Sequence, residues 1–278
     1  MEDFKSYISA AADALSPFDY EIKTTLHQTT RQRTWSLINS TSDPLTQIAT
    51  IHTAEEIGFT KRMLDAMFET FNTRRKEVMA VTGMQALSQK ILKGSGGGGR
   101  ASLGEGEGEK AADKGLTSRE AETLLDALIT EGWFERSREG FYTLSPRALM
   151  ELRSWLVETY NEETDDPGEW QRIKFCEACK EIVTVGQRCA NLECNVRLHD
   201  ICGTYWNSRP DKKCPKCKTD WDEEHWVGQR VVTCTDDYLR GKRRSGGAVP
   251  SRGKRGRQQE EEEEEEEVEE NAGEEEEE

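Results

Sequence analysis

No stretch of this chain approaches eighteen consecutive apolar residues, so the sequence contains no candidate membrane span. The opening residues, MEDFKSYISA, show no basic region followed by an apolar run, which argues against a secretory signal. Cysteine is missing from the first 175 positions; all eight lie between Cys176 and Cys234. With no sign of export, disulfides are not expected, and clustered thiols in a reducing compartment read as metal ligands. Apolar residues are scarce as well, 34% of 278. Together with two biased segments this points to three small modules rather than one large core.

The first biased segment, KGSGGGGRASLGEGEGEKAADKG, is rich in glycine and charge, has no apolar face, and reads as a flexible linker over 94–115. The second is the acidic C-terminus, with fifteen glutamates from Glu260 to Glu278; removing them takes the net charge from -16 to about -1. The acidity therefore belongs to a tail, read with the basic stretch before it as disordered over 240–278.

Between these segments the patterning turns regular. FDYEIKTTL alternates Phe18, Tyr20, Ile22 and Leu26 with polar residues, and RTWSLI continues the rhythm at Trp35 and Leu37, which predicts a hairpin across QTTRQR. After Pro44, Ile57, Leu64, Met67, Phe68 and Phe71 return to one helical face. Beyond the linker, Thr117 and Glu120 form a capping box before a helix carrying Leu124, Leu125, Leu128 and Ile129. A second hairpin, WFERSREGFYTL, follows. Ser145 then caps a helix with Pro146 at its first position and Leu149, Leu152, Leu156 and Tyr160 on one stripe. Helix, hairpin and helix in that order predict winged-helix modules at 1–93 and 116–160, the first as though its leading helices were absent, so that the chain starts near the wing. The helix SREAETLLDALITEG carries one arginine against four acids, so it does not suit phosphate, and protein docking is the better use. Only Arg136 and Arg138 on the wing remain for nucleic-acid contact.

Seven of the eight cysteines fall within Cys176–Cys217 and pair with regular spacing: Cys176 and Cys179, Cys189 and Cys194, His199 and Cys202, Cys214 and Cys217. Eight ligands make two tetrahedral sites, and sulfur-rich tetrahedra suit zinc. Every corner is filled, so no position is left for the water a hydrolytic zinc needs; the metal holds a shape. Cys234 lies outside the pattern and reads as an ordinary thiol.

The ligand order, with His199 fifth, and the segment His199, Cys202, Trp206, Cys214, Pro215, Cys217 resemble a RING domain of the variant type over 175–222. A PHD finger shares the order, but it usually carries an aromatic residue where this chain has Lys212, whereas proline after the seventh ligand favours RING. In the RING family the pairs interleave, which would place Cys176, Cys179, His199 and Cys202 on one zinc and Cys189, Cys194, Cys214 and Cys217 on the other. Spacing alone does not establish that pairing. Two winged helices followed by this RING resemble the non-structural maintenance of chromosomes element 1 family, RING subunits of the chromosomal complex built on the fifth and sixth SMC proteins. The whole is then an α+β chain of tandem winged helices, a two-zinc RING domain and a tail.

The resemblance implies a nuclear, chromosome-bound role in DNA repair, a MAGE-type and a kleisin-type subunit as partners, and ubiquitin ligase activity. Carried over residue by residue, Trp206 and Pro215 match the surface that RING ligases offer the conjugating enzyme, and Lys218 stands where a basic residue meets ubiquitin. Ala178 departs from the pattern: one methyl replaces the usual isoleucine or leucine, which weakens docking at about 0.8 kcal/mol per lost methylene. A non-catalytic zinc scaffold and a PHD-type chromatin reader stay open as alternatives. In RGKRRSGGAVPSRGKRGR, eight basic residues stand with no acid between them. Lys242, Arg243, Arg244, Lys254, Arg255 and Arg257 read as a two-part nuclear import signal or a nucleic-acid patch.

Overall fold

The computed structural model describes residues 2–39, 51–93, 115–161, 169–203, 212–222 and 224–245. Met1–Thr233 form one compact unit and Cys234–Glu278 a second. The chain does not open on a wing: helix α1 (Glu2–Leu15) comes first. Its half-buried Ile8, Ala11, Ala12 and Leu15 recur at i, i+3, i+4 and i+7, and three consecutive alanines favour the helix. The expected hairpin follows as β1 (Tyr20–Leu26) and β2 (Arg33–Asn39), antiparallel, with Ile22 opposite Leu37 and Thr24 opposite Trp35. Phe4 of α1 meets Trp35 edge-on at 5.7 Å.

Helix α2 (Ala54–Asp65) starts on a capping box of Thr53 and Glu56 and runs on through a wider turn, Ala66–Thr70. Its buried face is Phe59, Met63, Leu64, Met67 and Phe68; Ile57 and Phe71 are only half-buried. Strand β3 (Val81–Thr82), helix α3 (Gly83–Ala86) and helix α4 (Gln89–Lys93) bring the chain to the glycine-rich segment. Beyond it lie α5 (Ser118–Thr130), β4 (Phe134–Arg136) and β5 (Phe141–Leu144). The expected Thr117 capping box is formed, with Thr117 N donating to Glu120 Oε2 at 2.9 Å.

The division into cores at 94–115 does not hold. The sheet order is β3-β5-β4, with Val81 opposite Tyr142, so a strand before the glycine-rich segment pairs with strands after it. Leu64, Met67 and Phe68 share one buried cluster with Leu124, Leu125, Leu128, Phe134 and Leu144. The segment joins two helices of one module, and its ends are pinned where Leu116 N donates to Leu92 O at 3.0 Å. Gly115, at φ +67°, is required there, since a Cβ would run into the Leu92 carbonyl.

The last helical stripe is two helices, α6 (Pro146–Glu151) and α7 (Arg153–Tyr160), broken at Leu152. Ser145 caps the first as expected, accepting from Ala148 N at 3.1 Å. Ser36 and Ile38 of β2 are buried on the side where the hairpin lies against α6. In the zinc-ligand region, β6 (Gly186–Arg188), β7 (Arg197–Leu198) and β8 (Trp226–Val227) make a sheet of order β7-β6-β8. The helical core continues into this region through Ile173, Ile182 and Val183. Asn161, just past α7, exchanges two hydrogen bonds with the Ile173 backbone, at 2.7 and 3.0 Å. In the second unit, helix α9 (Asp236–Ser245) follows α8 (Arg230–Thr233), the last helix of the first.

Candidate metal centre

Two tight knuckles carry the CxxC pairs. In the first, Cys176 N donates to Glu181 O at 2.8 Å, Lys180 N donates to Cys176 O at 2.9 Å, and Lys180 sits at φ +61°. The second repeats the design: Cys214 N to Thr219 O at 2.8 Å, Lys218 N to Cys214 O at 3.1 Å, and Lys218 at φ +63°. Such a turn folds the chain back sharply enough to bring sulfurs three residues apart to one centre. The other pairs stand on loops flanking the sheet. Cys189 follows β6, Cys194 sits in a turn closed onto Asn191 O, and His199 and Cys202 bracket a single turn after β7.

The structure gathers Cys176, Cys179, His199 and Cys202 into one group and Cys189, Cys194, Cys214 and Cys217 into another. Within each group the ligand atoms lie within 4.8 Å of one another. This is the interleaved grouping that the RING resemblance implies. Sulfurs bound at about 2.3 Å to a tetrahedral ion lie about 3.8 Å apart. Here Cys189 Sγ and Cys217 Sγ are 3.4 Å apart, Cys194 Sγ and Cys214 Sγ 3.6 Å, and Cys179 Sγ is 3.2 Å from His199 Nδ1. His199 Nε2 lies 3.1 Å from Ile182 O. A carbonyl only accepts, so Nε2 carries the proton and Nδ1 is left to bind metal, the outer-shell arrangement common to metal-bound histidines. The donor sets, three thiolates with one imidazole in the first group and four thiolates in the second, therefore fit two closed, structural zinc ions. In each group one thiol is displaced towards thiolate. Burial opposes this at both, but the contact with His199 lowers Cys176, and hydrogen bonds from Thr219 lower Cys217.

Of the proposed enzyme-facing residues, Ala178 and Lys218 are exposed and Pro215 is half-buried. Lys218 Nζ donates to Pro215 O at 3.1 Å, so it braces its own knuckle as well as facing solvent. Trp206 lies outside the described residues. So do Lys254, Arg255 and Arg257, while Lys242, Arg243 and Arg244 belong to α9. Cys234 is exposed and belongs to neither group. Arg136, at the end of β4, stacks on Tyr142, 5.6 Å from the ring centroid.

Sequence patterning does not reveal how firmly the centre is held. Gln28, at the tip of the hairpin, donates to Ile182 O at 2.9 Å and accepts from the backbone N of Thr184 and Val185 at 3.1 and 2.9 Å. Arg153 of α7 pairs with Glu181 at 2.7 Å and stacks on Phe175 at 5.0 Å. Glu77, Lys174, Arg188 and Arg197 are buried charges behind the ligands.

A family model described as Nse1 non-SMC component of SMC5-6 complex matches residues 1–152, more than half of the chain. A RING-like domain model matches residues 176–217. The non-structural maintenance of chromosomes element 1 homolog of Homo sapiens is 24% identical over 225 residues, covering 81% of this chain and 70% of the relative. The Xenopus laevis homolog is 30% identical over 117 residues, which is 42% of this chain and 39% of that relative's length. The Schizosaccharomyces pombe protein, non-structural maintenance of chromosomes element 1, is 24% identical over 80% of this chain and 78% of its own. Among solved structures, a chain of an Nse1-Nse3-Nse4 complex shares the fold, with a TM-score of 0.58 at 21% identity over 80% of both chains.

Proposed function

We propose, since this chain belongs to the Nse1 family of non-SMC components of the SMC5-6 complex, that it works as the RING-type ubiquitin ligase subunit of that complex in DNA repair and chromosome maintenance. The carrying observation is the pair of closed, interleaved metal groups beneath an exposed first knuckle. Filled coordination leaves the zinc no chemistry of its own. What such a domain offers is placement: it docks a ubiquitin-charged conjugating enzyme and holds the thioester in a reactive pose for an incoming lysine. Ala178 and Lys218, exposed on the two knuckles, with Pro215 and Trp206, are the contacts proposed for that enzyme. The related chain solved as an Nse1-Nse3-Nse4 complex supports a MAGE-type and a kleisin-type subunit as direct partners. The site of action proposed is the chromosome in the nucleus, with nucleic acid reached through the assembled complex or the basic stretch 240–257.

A second reading is a zinc scaffold that docks subunits without transferring ubiquitin. Ala178 favours it, because one methyl gives a conjugating enzyme little to hold, and Lys218 already has a bracing role. Autoubiquitination with a panel of conjugating enzymes, with and without the MAGE-type subunit, decides between them. The ligase reading expects weak transfer by the chain alone, a rise on adding the subunit, and loss of that rise in Trp206→Ala with both zinc ions retained. No transfer under any combination leaves the scaffold.

A further inference from the structure

One carboxylate stands behind both metal groups. Glu77 lies between α2 and β3, in the helical part of the chain, and is 1% exposed. Its Oε1 is 3.0 Å from Lys174 Nζ, and its Oε2 accepts from Arg197 Nε at 2.7 Å. Arg197 Nη2 closes a second bond to Oε1, making the pair bidentate, and Arg188 Nη1 stands 4.0 Å away. Each of these three cations is tied to a metal ligand. Lys174 precedes Cys176 by two residues, Arg188 immediately precedes Cys189, and Arg197 precedes His199 by two. Arg197 Nη1 also donates to the carbonyl of Cys194 at 2.6 Å. The backbone joins in, with Gly228 N donating to Glu77 O at 2.7 Å beside β8.

Three buried cations repel one another and have lost their water, so they hold together only around an anion. Glu77 is the carboxylate that the cluster closes on. Segments bearing ligands of both groups converge on it, while its own backbone belongs to the helical part of the chain. We propose that Glu77 is a positioning residue for both zinc sites, drawing together the segments that carry their ligands, so that zinc retention depends on the zinc domain being seated against the helical module. The inference rests on reading the two groups as zinc sites and goes beyond it in assigning their retention to a residue that binds no metal.

The test is zinc release from the full-length, zinc-loaded chain to a chromogenic chelator. Total zinc in the wild-type chain checks the reading, with two per chain expected; the release rate checks the proposal. Glu77→Gln, which keeps shape and loses charge, should release zinc about 10- to 100-fold faster, the affinity typically lost with groups that orient metal ligands being read here in the release rate. Leu125→Ala, in the helical core away from the cluster, is the control for general destabilisation and should keep a rate near wild type. A folded Glu77→Gln with unchanged release overturns the proposal, and so does equal acceleration in Leu125→Ala at matched loss of stability. If Glu77→Gln does not fold, Lys174→Met, which leaves the Arg197 pair in place, is read in the same way. A wild-type chain that holds no zinc would sink the reading beneath it instead.

Discussion

Gln28→Ala should undo the grip of the hairpin on the zinc loop, at a cost that follows from its hydrogen bonds. The Gln28 Oε1 accepts from Thr184 N, Thr184 Oγ1 and Val185 N, and its Nε2 donates to Ile182 O. The hydroxyl can turn to another acceptor, and Ile182 O keeps its bond from His199. The two backbone N–H groups have no such freedom, and Thr184 is 3% exposed. A buried donor left unsatisfied costs about 1–3 kcal/mol. Two donors at a seam that admits some water should therefore cost about 2–4 kcal/mol. Denaturant unfolding of the zinc-loaded chain gives the total, and native-state hydrogen exchange at Thr184 and Val185 locates it. Gln28→Glu, which keeps the acceptor and loses the donor, should cost less than the alanine. A loss in Gln28→Ala below about 0.5 kcal/mol, within the range of an ordinary surface substitution, with protection at both amides intact, would refute the reasoning.

Cys189→Ser or His199→Ala should lower bound zinc below two per chain and unfold 175–222, because structural zinc binding is itself folding free energy; metal analysis with circular dichroism checks both. Tyr160, buried against Asp65 with its hydroxyl donating at 2.8 Å, resists ionising because burial, and then the neighbouring carboxylate, raise its pKa. Only the unfolded chain then releases this proton, so its contribution is complete below about pH 10 and falls by about 1.4 kcal/mol per unit above it. Tyr160→Phe should flatten that alkaline slope in a denaturant series, and an unchanged slope would count against the assignment. Deleting 240–257 should reduce both nuclear retention of a fluorescent fusion and salt-dependent DNA binding; retention of both leaves the segment as a solvated stretch.

The zinc ligands were legible because a knuckle imposes its spacing on the chain: two residues between sulfurs, then a tight return. Capping boxes were legible for a similar reason, since Thr117 and Glu120 must stand three apart to exchange their bonds. Strand β3 was not, because two residues, Val81 and Thr82, are too few to show alternation. Without β3 the glycine-rich segment looks like a domain boundary, although the ends it joins are hydrogen-bonded to each other. Helix α1 did carry a signal, four half-buried positions at helical spacing, but small alanines on its inner face made the stripe faint. The break at Leu152 is likewise invisible in a periodicity that continues through it to Leu156 and Tyr160.

The charge cluster is the deepest omission, and its cause is general. Glu77 and Arg197 stand 120 positions apart, and each looks like an ordinary surface residue in its own segment. Only the fold makes them partners, and that partnership changes what the zinc domain is. A RING read from its ligands alone is a bead on a string, free to turn. Here Gln28 of the hairpin, Arg153 of α7 and Glu77 after α2 each hold a different segment of it, and the helical core continues into its interior. The first knuckle, with Ala178 outward, has Arg153 behind it, bonded to both Lys180 O and Glu181. If the chain acts as the ligase proposed, a conjugating enzyme docking there meets a surface whose angle is set by the helical module. On that proposed function, a subunit that stiffens the module would stiffen that surface too, without touching the zinc, which gives a partner a physical route to raise transfer by a domain whose Ala178 offers a conjugating enzyme only one methyl.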